Sequence, residues 1–110
     1  MINFEVLKGF AASRKNDREI DIFFNYVKKY LQACLKEKES EAQKMLGKAI
    51  SMLCKLNSFC MKETGHHFIL GVLNPFDEHQ MEEVIGEVLI QIIRNEGMLM
   101  KAENAMIKIV

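Results

Sequence analysis

Apolar side chains recur every three or four residues through most of this chain, and helix caps divide the pattern into three long segments. In the first, Ile20, Phe24, Val27, Leu31 and Cys34 follow spacings of 4, 3, 4 and 3. In the second, Ala42, Leu46, Ala49, Leu53, Leu56 and Cys60 follow spacings of 4, 3, 4, 3 and 4. The third runs through Met81, Ile85, Val88, Leu89, Ile92 and Ile93, with Val84 at its margin and Ile90 beside Gly86 near the polar side. This periodicity belongs to helices, and it predicts them over about residues 17–37, 41–63 and 75–95.

Punctuation agrees with these spans. Asn16 with Glu19, and Ser40 with Gln43, have the spacing of a side-chain cap and a reaching acid or amide three residues on. Asn74, Pro75 and Asp77 supply an N-cap, a first-turn proline and an acid suited to the positive end of the helix dipole. Gly65 and Gly97 stand where a left-handed residue would close the preceding helix. Two further helical turns are expected over His66–Leu73. Ile2–Val6 and Met106–Ile109 alternate in part like strands. Phe4, Leu7 and Phe10, and Leu99, Ala102, Met106 and Ile109, equally share one side of a helix. Helices are therefore preferred at both ends, with a small β pair as the lesser option.

The expected class is all-α: a bundle of three long helices with short terminal and connecting helices, forming a single helical domain over residues 1–110. The first two long helices, about 31–34 Å each at 1.5 Å per residue, are matched well enough to pack as an antiparallel αα-hairpin.

The apolar arcs are wider than such a bundle needs. Each spans roughly 220° or more, where a surface helix needs about 100–140°. Ile22, Phe23, Tyr26, Tyr30 and Ala33 widen the first arc. Met45, Met52 and Phe59 flank the second on one side, and Ile50, Cys54 and Met61 on the other. Either the terminal helices wrap this surplus, or it forms a second contact surface. The second option makes the chain a small non-enzymatic protein-interaction module of the regulator, inhibitor, immunity or secretion-chaperone type, acting as a dimer or heterocomplex. Its candidate partner-binding residues are Phe23, Tyr30, Met52, Phe59, Gly86 and Ile90, with Met98 and Met100 as a methionine-lined patch. To these the lysine row Lys44, Lys48, Lys55 and Lys62 is added, which lies within about 40° on the second helix and suits registration against an acidic partner.

Composition narrows the classes further. The 110 residues are 49% hydrophobic and 27% charged, as expected of a folded domain. Fifteen basic residues balance fifteen acidic ones, which argues against a dedicated binder of nucleic acid or anionic membrane. A helix-turn-helix reader is weak as well, since residues 66–95 hold one arginine and no lysine. The three cysteines, Cys34, Cys54 and Cys60, have no C-x-x-C spacing and are expected as reduced thiols packed like small hydrophobes in a cytoplasmic protein. Nothing at Met1–Phe10 reads as a secretory leader. The longest uncharged stretch, Thr64–Phe76, is 13 residues and too polar to span a bilayer. Eight methionines suit irregular core gaps or an adaptable surface.

Candidate chemistry is sparse. His79, Glu83 and Glu87 align at i, i+4 and i+8, a spacing that can place one histidine and two carboxylates on a metal, with Glu78 and Glu82 nearby. The row faces away from the apolar arc, where it would be hydrated, and no second inward E-x-x-H joins it, because Glu63-x-x-His66 crosses Gly65. His66 and His67, just past a helix end, suit the negative end of its dipole. No phosphate-binding glycine loop, H-E-x-x-H or nucleophile motif is present. No catalytic, metal or cofactor site is expected.

One segment points elsewhere. Glu83–Ile93, Glu-Val-Ile-Gly-Glu-Val-Leu-Ile-Gln-Ile-Ile, resembles the E-E-L-G-D-L-L-L-Q-V-V segment of MazG-type nucleotide pyrophosphohydrolases. The resemblance implies an all-α dimeric enzyme holding magnesium with carboxylates on two helices, here Glu83 and Glu87. It covers 11 of 110 residues. Val84 stands in place of a ligand glutamate, Glu87 in place of the aspartate, and the family's companion E-x-x-E is missing from Gly65–Gln80. A magnesium-dependent hydrolase is therefore the alternative to the interaction module.

Overall fold

Among the described residues of the computed structural model, five helices follow one another: α1 (Phe4–Ala12), α2 (Asp17–Leu35), α3 (Glu39–Thr64), α4 (Glu78–Ile93) and α5 (Glu96–Lys108). The structure describes the backbone of residues 1–108 and the side chains of residues 1–104, so the expected inward positions of Met106 and Ile109 lie outside the described side chains. The class is all-α. The three long helices are α2, α3 and α4, and the most extensive packing is between α2 and α3, as the matched heptad stripes predict. α5 lies against α2 and α4, and α1 against α3.

The stripe of α3 is buried along its whole length, from Ala42 through Leu46, Ala49, Leu53 and Leu56 to Cys60. The stripe of α2 holds only to Val27. Beyond it Leu31 and Cys34 are exposed, and Ala33 is buried in their place. α5 reaches the first half of α2, where the Lys101 ammonium pairs with Asp17 and also donates to the Ala11 carbonyl at 3.1 Å. In the second half the buried face turns toward Tyr30 and Ala33.

Turns account for the shifted boundaries. α2 stops at Leu35, two residues early, in a Schellman turn: Lys38 N–H donates to Ala33 O at 2.9 Å and Glu37 N–H to Cys34 O at 3.1 Å. Glu37 takes the left-handed conformation there, φ +56°, that glycine usually supplies. α3 begins at Glu39, so Ser40 lies within the helix rather than at its cap. Asn16 precedes α2 but caps nothing, its amide donating to Glu63 instead at 3.1 Å. Asp77, not Asn74, caps α4 by accepting from Gln80 N–H at 3.0 Å, while Asn74 closes a turn around Pro75. Gly65 ends α3 at φ +77° as expected. Gly97 does not end α4. It lies inside α5, whose first turn is capped by the Asn95 side chain accepting from Met98 N–H at 2.9 Å.

The two helical turns expected over His66–Leu73 are absent. The segment is irregular, bending at Phe68 and at Gly71, and its backbone is claimed by neighbours. Asn57 Oδ1 on α3 accepts from Phe68 N–H at 2.9 Å and from Ile69 N–H at 3.1 Å. Asn3 N–H donates to Phe68 O at 2.7 Å, and Leu70 N–H to Met1 O at 2.7 Å. Ile2 and Ile69 form an antiparallel bridge, so the expected β tendency of the N-terminus is satisfied by this segment rather than by the other end of the chain. Among the described residues no helix is long and apolar enough to cross a membrane.

Candidate protein-interaction surface

Much of the surplus apolar arc is absorbed by the fold. Phe23, proposed for an outward surface, is only 3% exposed, and Met98 6%. Both face a small interior void of about 20 Å³ shared with Leu7, Ile20 and Ile92. The reason is α5: laid on α2, it covers the arc that Phe23 widens and buries its own first inward methionine. Met98 and Met100 thus do not form one patch, since Met100 points outward. Tyr30, Met52 and Phe59 are half-buried and rest against the core.

What remains outside is uneven. Leu35, Leu70, Val72 and Met100 are all more than half exposed, and Phe76, next to Pro75, is 93% exposed. On α4, Ile90 and Ile93 stand 53% and 65% exposed at a spacing that continues from Gly86 along one stripe. Gly86 is half-buried, and a methyl group there would meet nothing within 4 Å.

The lysine row is exposed throughout. Lys44, Lys48 and Lys55 line an open trough of about 510 Å³ along the outer face of α3, and Lys62 lies beyond its end. Tyr26, Ile50, Met52 and Met81 form its apolar parts, Pro75 its rim, and Gly47 and Ser51 its low middle. Among the described residues no aspartate or glutamate lines it. The Lys48 ammonium lies 5.8 Å from the centre of the Tyr26 ring, and that of Lys55 5.7 Å from the Phe59 ring, so two lysines are drawn along aromatic faces rather than splayed into solvent. Gly47 stands exposed in the middle of a 26-residue helix, where glycine costs about 1 kcal/mol relative to alanine. A methyl group at that position would meet nothing within 4 Å, so no internal packing requires the glycine.

Tyr30 belongs to a different place. It opens onto a cleft of about 370 Å³ bordered by Cys34, Glu37, Glu39, Glu78 and Glu82. Burial, a hydrogen bond with Cys34 and the negative charge of Glu82 and Glu78 push its phenol up to about 12. Both folded and unfolded states are neutral below the ordinary value of 10, so this group leaves stability flat there. Between pH 10 and 12 the unfolded chain loses a proton that the folded one keeps, and stability falls. One of the two tyrosines is thus expected to ionise only near pH 12 in a near-ultraviolet phenolate titration, and Tyr30→Phe to remove that late phase.

The acidic row of α4 has structural partners. His79 Nε2 meets Glu83 Oε1 at 3.0 Å on the exposed face. Glu87 Oε1 accepts from Ile2 N–H at 2.9 Å and faces the Met1 amine at 3.3 Å, pinning the N-terminal segment to α4. Among the described residues no three His, Cys, Asp or Glu side chains converge as metal ligands. His66 and His67 follow the end of α3, with His67 Nδ1 3.0 Å from the Asn57 amide. The three cysteines are free thiols. Only Cys60 is packed as a small hydrophobe, whereas Cys34 and Cys54 are exposed.

Tyr26, Gly47, Pro75 and Phe76 were not among the sequence-derived candidates. Gly47 carried a usable signal, a glycine interrupting the polar face of a long predicted helix. The exposure of Phe76 carried none, because it follows from a turn that starts three residues before the cap. No protein-family model, no curated protein and no solved structure matches this chain.

Proposed function

We propose that this chain is a non-enzymatic protein-interaction module, of the regulator, inhibitor, immunity or secretion-chaperone kind, working as a dimer or within a heterocomplex. The observation that supports it is the outward stripe of α4, where Ile90 and Ile93 continue the row of Gly86 although the opposite face of the helix, Met81, Val84, Ile85, Val88 and Ile92, already fills the core. A helix apolar on both sides of its axis has a second surface to cover. Zero net charge gives that surface little protection from association. The three unpaired cysteines suit a reducing compartment, and we place the protein in the cytoplasm.

Sedimentation velocity at micromolar concentration is expected to find a dimer, or a heterocomplex after gentle isolation. Ile90→Asp combined with Ile93→Asp should convert it to a monomer while changing stability by no more than about 0.5 kcal/mol per site, because both side chains are on the surface. A wild-type chain that stays monomeric and captures nothing removes the reading.

A further inference from the structure

We propose that the trough on α3 receives an acidic amphipathic helix of a protein partner, laid against Gly47 and held by Lys44, Lys48 and Lys55. This rests on the interaction reading above and specifies the partner's chemistry. The occupant is argued first from charge. Among the described residues three ammonium groups border the trough and no carboxylate does, although the chain as a whole is neutral. A partner segment gains there by presenting carboxylates, which steer and register it. Its apolar side is specified by the half-buried Met52 and Tyr26, which a polyanion without apolar side chains would leave wet. No arginine lines the trough, which sets it apart from a phosphate-binding surface.

A helix is favoured over an extended strand by the shape of the site. Lys44, Lys48 and Lys55 succeed one another along about three turns of α3, some 16 Å at 1.5 Å per residue. Between them Gly47 leaves the helix backbone bare. With no side chain there, a second helix can approach toward the near end of the usual 8–10 Å interaxial range. The bare position weakens α3 and serves nothing within the fold, whereas a docked helix would use it.

The test uses a synthetic amphipathic helical peptide with leucines on one flank and an alanine to face Gly47. Its glutamates are spaced 4, 3 and 4, so that in either direction three of them meet lysines spaced 4 and 7 apart. Fluorescence anisotropy with the full chain should show binding that weakens as salt rises, and no binding of the same peptide with lysines in place of the glutamates. Lys44→Glu, Lys48→Glu and Lys55→Glu together should weaken the acidic peptide about tenfold or more and admit the lysine peptide. A control of equal charge outside the trough, Lys8→Glu, Lys15→Glu and Lys36→Glu, should keep binding. Gly47→Leu should abolish binding while the thermal midpoint holds or rises, since leucine favours the helix.

The proposal is overturned if wild type binds neither peptide, if the trough variant and the control behave alike, or if a single-stranded oligonucleotide or an anionic vesicle displaces the acidic peptide. Should the peptide fail while association through Ile90 and Ile93 persists, the trough assignment alone is lost. A monomer that binds neither partner loses both.

Discussion

Phe68→Ala is expected to lower the unfolding free energy by about 3–5 kcal/mol, the usual cost of truncating a fully enclosed aromatic side chain. Phe68 has no exposed surface, although it comes from a segment without regular secondary structure. Its ring stacks on Phe10 at a centroid distance of 6.5 Å, so the side chain joins the N-terminal helix to the stretch that follows α3. Domains of this size hold about 5–15 kcal/mol in total, so the variant should lose a fifth or more of its stability and unfold at a clearly lower temperature. Urea denaturation followed by far-ultraviolet circular dichroism measures the loss. Phe68→Leu, which keeps most of the volume, should cost less than about 1.5 kcal/mol. A loss below about 1 kcal/mol for the alanine variant would mean that the segment is not part of the core.

The second large effect belongs to Asn57. Its Oδ1 accepts two backbone N–H groups, from Phe68 and Ile69, in a part-buried setting. Removing the side chain leaves both donors without their partner, and each orphaned group costs about 1–3 kcal/mol. Because the site is part-buried and water can reach it, the lower part of that range applies to each, and Asn57→Ala should destabilise by about 2–4 kcal/mol, with loss of amide exchange protection at residues 68 and 69. Asn57→Asp retains an acceptor for both donors and should cost less. Equal losses in the two variants would show that the bonds to Phe68 and Ile69 are not the source. The consequence extends to binding, because the same segment leads through Leu70 and Val72 to Pro75, which rims the α3 trough. Loosening it should weaken the acidic peptide beyond what lost stability explains.

The helical spans were legible because the heptad runs and the chemistry of Gly65 are local. α3 follows its stripe without exception, since it is packed by other helices along its whole inner face. The lysine row was equally legible, because its members share one face by helical arithmetic alone and that face is solvent-exposed. Boundaries were less so where a residue adopted a role its type does not advertise. Glu37 turned the chain where glycine would be expected, Asn16 met a competing acceptor far along the chain in Glu63, and Asn74 a competing donor two residues on in Phe76. His66–Leu73 was misread as helical because its partners, Asn57 and the N-terminal residues, are distant in sequence, and their hydrogen bonds outweigh any local preference.

Local pattern was enough to specify an all-helical class, a long paired hairpin, a polar lysine face and more apolar arc than one stripe per helix requires. These follow from 3.6-residue periodicity and side-chain chemistry, which act within a few residues of one another. Which part of that arc is covered depended on how the helices pack. α5 took Phe23 and Met98 into the core, while Ile90, Ile93 and the outer face of α3 stayed outside. Burial depends on where a distant helix comes to rest, and close packing lets one surface be covered by only one neighbour.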